Sequence, residues 1–509
     1  MIKPLPYFVA IPLVAAFLLP IFGKKGKNAA TVLANIATLA LVVLAVVCIA
    51  DGTPGVYKIG RWTIPFGINL VLDGLSSLML LVISVVSAAA MFFSILYMEQ
   101  YTAKSKYLSL FMLMVAGMNG VVLSGDIFNL FVFLEIASIS SYALVGFGTE
   151  HEELEASFKY MVLGSIASAF VLFGVGLVYG NTGSLNMAYI SEAIGKSGMN
   201  MGLSFAMALF VAGFGLKAAL VPFHAWLPDA HPSAPAPISA MLSGVLIKAL
   251  GVYAIARVLF NVFGVTISVG WLLVVLGILS MLTGAFLALR QWDFKRLLAY
   301  SSISQIGYVV LGLGLGGLIL AQGGKPAWAS LAILGGLFHL ANHAVYKSLL
   351  FLTSGSVEMA AGTRQLKEMG GLAEKLPVTR ATCTIASASI AGIPPFSGFW
   401  SKLVLVIASI QAGFYWVAAV IVFVSLLTLL MYLKVQRYAF LGELPEKMEQ
   451  IKEHRGPMLV AMVVLACLCI LMGLLLLDPL QSSVLDPAVK ALTEGVSYSE
   501  NVKSLASLM

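Results

Sequence analysis

Apolar residues in this chain run in long unbroken stretches, and polar residues are confined to short segments between them. A water-facing domain would instead alternate the two with the period of a strand or an amphipathic helix. A helix needs about 20 mainly apolar residues to cross the hydrocarbon layer of a bilayer. Fourteen stretches meet that need, near 5–22, 28–50, 74–98, 107–124, 127–148, 156–180, 203–226, 236–262, 268–290, 297–318, 328–355, 379–412, 414–440 and 457–478. The pattern therefore predicts an all-α polytopic membrane protein of about 14 transmembrane helices, a single membrane domain over 1–509. The longest polar stretch, 441–456, reads as a connecting loop or a short surface helix.

Two spans carry interruptions. Pro222 falls inside the seventh, and Pro394 and Pro395 inside the twelfth. Proline removes a backbone donor and clashes with the preceding turn, so both helices should be broken. A broken helix within the bilayer exposes backbone dipoles beside a polar cavity, the usual setting of an ion site. Both breaks read Pro-Phe, then small or polar residues, then Trp: Pro222, Phe223 and Trp226 against Pro395, Phe396 and Trp400. Interrupted helices at corresponding places predict an internal repeat. The division that follows is three N-terminal helices over 1–106, a first repeat over 107–262, a second over 268–440, and a loop, last helix and C-terminal tail over 441–509.

Composition sharpens this picture. Of the 509 residues 60% are hydrophobic and 10% charged, against about 25% charged in soluble domains. That excludes a soluble multidomain enzyme, a disordered chain and a nucleic-acid binder. Four cysteines without CxxC spacing give no support to iron–sulfur, zinc or disulfide chemistry. Among 30 Lys and Arg residues, four lysines lie inside spans: Lys217, Lys248, Lys347 and Lys402. Of the other 26, the loops after odd-numbered spans hold 18, including Lys25, Lys27, Lys159 and Arg455. The termini and the remaining loops hold 8, including Lys3 and Arg257. Basic loops stay on the cytoplasmic side, so both termini are expected on the outer face.

The four intramembrane lysines carry the candidate chemistry, because each costs roughly 2.5–3.5 kcal/mol to insert at a helix centre. One such residue can be a paired structural group or snorkel to an interface; a set of them points to an ion or proton path. Glu135 lies about eight residues into the fifth span, and Lys217 lies five residues before Pro222. Burial favours the neutral amine and a nearby carboxylate the ammonium, so a movable Glu135–Lys217 pair can load and release a proton. Lys248 stands mid-span with no acidic residue within helical contact in its own segment. His339, His343 and Lys347 are spaced i, i+4, i+8 and share one helical stripe. The two histidines also have the spacing of a metal pair, but no third ligand accompanies them, and a proton relay suits them better. Their bland reading is a pair of satisfied core histidines. Lys402 follows the second break by seven residues. His224 is a candidate gate, and Asp229 and His231 candidate residues of a polar exit after the seventh span. Asp73 and Asp126 stand at helix starts as caps, and Glu150, Glu152, Glu153 and Glu155 form an acidic loop.

Four segments, FLEIASISSYALVGF, GLKAALVPFHAWLPDAHPSAPAPISAMLSGVLIK, NHAVYKSLLFLTSGS and AGIPPFSGFWSK, make the chain resemble a known family. It is similar to the antiporter-like subunits shared by respiratory complex I, Mrp-type multi-subunit Na⁺/H⁺ antiporters and membrane-bound energy-converting hydrogenases. Within that family it looks most like the D-type Mrp subunit and its hydrogenase counterpart, since it ends shortly after the last span. The resemblance implies fourteen helices, with helices 4–8 and 9–13 as two inverted five-helix repeats. It also implies a proton-translocation path through Glu135, Lys217, Lys248, His339, His343, Lys347 and Lys402.

The implied function is translocation of protons, or of a cation against protons, along a midplane row of Glu, Lys and His residues. The implied setting is a multi-subunit complex in a prokaryotic cell membrane. Expected partners are other membrane subunits, among them a further antiporter-like or small-helix subunit, a peripheral redox module in some complexes, the lipid bilayer, protons and Na⁺. No cofactor, metal, nucleic acid, redox site or hydrolytic site is expected in the chain itself. The alternative is a structural or quinone-associated anchor of a redox complex, in which leucine could replace the buried lysines without loss.

Overall fold

The computed structural model describes residues 4–25, 27–454 and 456–507. Lys3 and Arg455, two of the charges used for orientation, lie outside the described residues, as do the side chains of Lys25 and Lys27. The first six spans form as helices α1 (Tyr7–Lys25), α2 (Lys27–Asp51), α3 (Gly74–Tyr97), α4 (Lys104–Leu123), α5 (Ile127–Val145) and α6 (His151–Thr182). A short surface helix, α7 (Met187–Ser197), precedes the seventh span, which is broken into α8 (Met201–Lys217) and α9 (Leu227–Ser233). Then come α10 (Ala236–Phe263), α11 (Ile267–Arg290), α12 (Phe294–Ala321) and α13 (Pro326–Ala361). The twelfth span is broken into α14 (Pro377–Ala391) and α15 (Ser397–Gln411), and α16 (Tyr415–Phe440) and α17 (Pro457–Leu476) complete the set. The tail folds into α18 (Asp486–Thr493) and α19 (Tyr498–Ser507).

Among the described residues, 11 helices are long and apolar enough to cross a membrane. The other three expected spans are the two broken ones and α13, whose hydropathy is diluted by His339, Asn342, His343 and Lys347. Exposed apolar side chains such as Val43, Phe173, Leu426 and Val464 lie on the outer helices, where lipid would cover them. The central helix α10 is wholly enclosed and α12 nearly so. Close packing of α11 on α12 depends on glycine. A Cβ on Gly307 would meet Gly277 O at 2.6 Å, so small residues let two backbones touch where no hydrophobic drive separates helix from lipid.

Two networks mark the opposite ends of the bundle. At one end lies an antiparallel hairpin, β1 (Gly55–Lys58) and β2 (Asn69–Leu72), with Lys58 opposite Asn69. Asn69 accepts from Asn186 Nδ2 at 2.8 Å, and its carbonyl accepts from Gly125 N at 3.0 Å. At the other end Asp229, Asp293, Arg296, Glu358 and Arg364 exchange ion pairs. The segments after odd-numbered spans meet at this second end, as the charge count requires.

Four sequence readings need correction. Arg257 is not a loop charge. It is buried in the last turns of α10, where it pairs bidentately with Asp73, Nη1–Oδ2 2.6 Å and Nη2–Oδ1 2.8 Å. A buried guanidinium needs such a partner, because an unpaired one would bear its whole desolvation cost. Asp73 is therefore more than a cap, although it does accept from Ser76 N at 2.9 Å. Lys159 sits within α6 and not in a loop. The acidic segment at 150–155 forms the start of α6, since Glu150 and Glu153 close a capping box there.

Candidate functional site

The first broken helix builds the first part of the site. α8 ends at Lys217, and the carbonyl of Leu216 accepts from Trp226 Nε1 at 2.9 Å and from Ala219 N at 3.1 Å. On the far side of the break, Val221 N donates to Ser280 Oγ at 3.0 Å. Backbone groups freed inside a membrane must find such internal partners. Pro222 itself lies on the outside of the break, and Trp226 is held by a parallel stack on Tyr160 with ring centroids 4.2 Å apart.

Lys217 and Glu135 do meet. Nζ lies 4.0 Å from Glu135 Oε1 and donates to Ser138 Oγ at 2.9 Å and to Tyr142 OH at 3.1 Å. Ser168 Oγ donates to the same carboxylate oxygen. The amine is held by two hydroxyls while the carboxylate, 30% exposed, stands at the edge of direct contact. Such a pair can close or open by a small side-chain movement.

Lys248 has a different environment. It lies on a part of α10 wound as a π-helix, and Nζ donates at 2.6 Å to the carbonyl of Ser243 five residues back. No carboxylate pairs with it among the described residues. π-helical turns are rare and concentrate at functional sites. One turn further on, a Cβ at Gly251 would sit 2.5 Å from the backbone of Ala218. That contact brings α10 against the end of α8, next to Lys217.

The stripe on α13 continues the row. His339 Nδ1 pairs with Ser401 Oγ at 2.9 Å and Nε2 with Gln305 Oε1 at 3.1 Å. His343 is fully buried, has no hydrogen-bond partner among the described residues on either ring nitrogen, and packs edge-on against Tyr346. Lys347 Nζ donates to Tyr432 OH at 3.1 Å, which in turn pairs with Ser301 Oγ at 3.0 Å. Both histidines lie within electrostatic range of Lys248, and His339 also of Lys402. No group of three metal-ligating side chains occurs among the described residues.

At the second break Lys402 takes the part that Trp226 plays at the first. Its Nζ donates to the freed carbonyls of Ile390 at 2.7 Å and Ala391 at 3.3 Å, and to Ser425 Oγ at 3.1 Å. The ammonium thus rests on the carboxyl end of α14, where a helix dipole favours positive charge. Tyr308 joins this end to the stripe, with Lys402 Nζ 5.2 Å from its ring centroid and His339 packed on the same ring at 5.1 Å.

The gate and exit candidates separate. His224 stays half-buried in the break, with Nδ1 unpartnered. Asp229 is at the rim, paired with Lys159 at 3.3 Å and Arg296 at 3.2 Å. His231 turns inward and is fully buried. The sequence reading missed Ser301, Gln305 and Tyr308 on α12. Their spacing i, i+4, i+7 in an apolar helix was a legible sign of a polar stripe. The sequence reading missed Ser425 and Tyr432 on α16 as well, which with Thr428 share one face of an apolar helix at i, i+3, i+7.

This arrangement is that of an ion-translocating membrane subunit, and comparison places it in a family. Residues 124–428 match the model described as NADH:quinone oxidoreductase/Mrp antiporter, transmembrane. Residues 58–108 match the N-terminal model of complex I chain 5. The chain belongs to this family of antiporter-like membrane subunits, as its motifs implied. It is 35% identical to the D-type subunit of the Na⁺/H⁺ antiporter of Alkalihalophilus pseudofirmus over 472 residues, 91% of this chain and 92% of that protein. It superposes on a chain of the Mrp complex from Dietzia sp. with a TM-score of 0.88 at 30% identity, over 98% of this chain and 99% of that one. A chain of the membrane-bound sulfane sulfur reductase, an archaeal respiratory membrane complex, gives 0.85 at 32% identity, over 98% and 100%.

Proposed function

We propose that this chain is a cation/proton-translocating subunit of a multi-subunit complex in a prokaryotic cell membrane. The row Glu135/Lys217, Lys248, His339/His343/Lys347 and Lys402 carries this reading, because four ammonium groups are buried with one carboxylate between them. In the mechanism, opening the Glu135–Lys217 pair changes the charge that Lys248 feels. Lys248 then gives its proton to the α13 stripe, and His339 passes one toward Lys402. Each step moves a proton between a held, charged state and a desolvated, neutral one, so no group needs to travel far.

The two halves of the path are read as inverted repeats. Their support is that each break seats a lysine: Lys217 is the last residue of α8, and Lys402, on α15, lays its ammonium on the carboxyl end of α14. Both termini are assigned to the outer face from the basic residues gathered at the opposite end. Partners are other membrane subunits, including a further antiporter-like or small-helix subunit.

The similarity to a D-type Na⁺/H⁺ antiporter subunit along nearly its whole length favours an Mrp-type assembly using Na⁺. Full coverage of a chain in a sulfur-reducing complex favours a second reading, a redox-driven pump with a peripheral electron-transfer module. Purifying the chain with its native neighbours and identifying them separates the two. The translocation reading is tested by Lys248→Ala in vesicles carrying the intact complex. Proton flux should vanish while complex content on a native gel stays constant; unchanged flux overturns it.

A further inference from the structure

The stripe on α13 does not stop at Lys347. Phe351, Ser354 and Glu358 continue it at helical spacing toward the basic end of the bundle. Glu358 Oε2 lies 2.8 Å from Lys295 Nζ; the carboxylate side chain is 27% exposed, whereas the lysine is buried at 3%. Arg364 Nε stands 3.7 Å from the other carboxylate oxygen and is itself shared with Asp293 at 3.2 Å. Lys295 also donates to Ala234 O at 3.3 Å, just beyond α9. From that half helix His231 turns inward, fully buried, with no hydrogen-bond partner among the described residues on either ring nitrogen. Its ring stacks on Phe351, centroids 4.4 Å apart, and Lys347 Nζ lies 5.9 Å from the same phenyl ring. The histidine is within electrostatic range of Lys295, Lys347 and Lys248.

A buried imidazole with both nitrogens unpaired is costly as mere packing. Here it stands between a solvent-reaching carboxylate and the midplane lysines. We infer that Glu358, Lys295 and His231 form a proton port joining the basic face of the bundle to Lys347. The inference rests on the translocation reading above. In the inward direction, Glu358 takes a proton from water and becomes neutral. Lys295 gives one of its protons to His231 and regains one from Glu358, which recovers its negative charge. The His231 imidazolium then releases its extra proton to the neutral amine of Lys347. The reverse sequence releases a proton, so the port serves either direction of flux.

The test uses the intact complex in sealed vesicles, with proton flux followed by a pH-sensitive dye and complex content by native gel. Glu358→Gln should slow flux at least about tenfold, within the range that positioned proton-transfer groups supply. Glu358→Asp should retain most of it, and His231→Phe, which keeps the stack on Phe351 but carries no proton, should match Glu358→Gln. Wild-type flux in either Glu358→Gln or His231→Phe overturns the port. A purely structural ion pair predicts that removing both charges is tolerated better than removing one. Wild-type flux in the double variant Glu358→Gln with Lys295→Met therefore overturns the port as well, and continued loss supports it. Lys248→Ala in the same preparation separates the two levels. Its loss beside an active Glu358→Gln rejects the port alone, whereas its activity rejects the translocation reading.

Discussion

Among the described residues no carboxylate pairs with Lys248, and its amine folds back on a carbonyl of its own helix. Arg257, nine residues on, is gripped by Asp73, Tyr253 and Asn261 and stacked between the rings of Tyr253 and Tyr498. The two cations share a helix but do different jobs, and their partners tell them apart. Removing one side of a buried ion pair typically costs 3–5 kcal/mol, so Arg257→Met should lower the complex's melting temperature by several degrees. A thermal melt in detergent checks this. Lys217→Ala, in contrast, should leave the melting temperature within a degree or two and abolish proton flux, because two hydroxyls hold it and its partner Glu135, 4.0 Å away, is partly exposed. The intramembrane lysines, Glu135 and the α13 stripe were legible as residues because charge is so scarce in this chain. Their partners were not: Tyr432 and Ser425 are ordinary residues until the fold sets them beside Lys347 and Lys402.

At the scale of elements, the broken helices were plain from Pro222, Pro394 and Pro395. What the prolines could not reveal is how the freed backbone is satisfied. Trp226 supplies an indole N–H at the first break, and Lys402 an ammonium at the second. Trp226→Phe should therefore remove one of the donors to Leu216 O and leave it to the backbone N–H of Ala219 alone, a loss on the order of 0.5–1.5 kcal/mol. A lower melting temperature and slower flux than wild type are expected, as Lys217 is the next residue. The close approach at Gly251 makes a sharper prediction. A valine there must push α10 away from Ala218. Gly251→Val should cut proton flux at least about tenfold, as misplacement near 1 Å does in other positioned sites. Assembly should be reduced less than flux, and comparing flux per assembled complex decides it. The π-helical winding of α10 had no sequence signal. It lies where contacts with α3, α8 and α13 enclose the helix.

For the whole molecule, alternating spans gather the basic segments at one end and the hairpin, α18 and α19 at the other. Asn261 Nδ2 donates to the carbonyls of Ala491 at 2.7 Å and Gly495 at 2.9 Å, tying the tail to the end of α10. With the four native cysteines replaced, Ser497→Cys should react with a membrane-impermeant maleimide added outside intact cells. Glu446→Cys should react only in inverted vesicles; the opposite pattern reverses the assigned orientation.

The sequence by itself determined the membrane class, the fourteen spans, the two breaks and the buried ionisable residues. Each follows from local physics: apolar length, proline's missing donor, and the cost of placing a charge in lipid. Only the tertiary structure decided which of those groups touch. It brought Glu135 to Lys217, left Lys248 without a carboxylate, turned Arg257 from an orienting charge into a buried clamp, and separated Asp229 from His231. These are outcomes of packing between helices distant in the chain. In such contacts a glycine or a serine matters as much as a charge, and no single segment carries their signature.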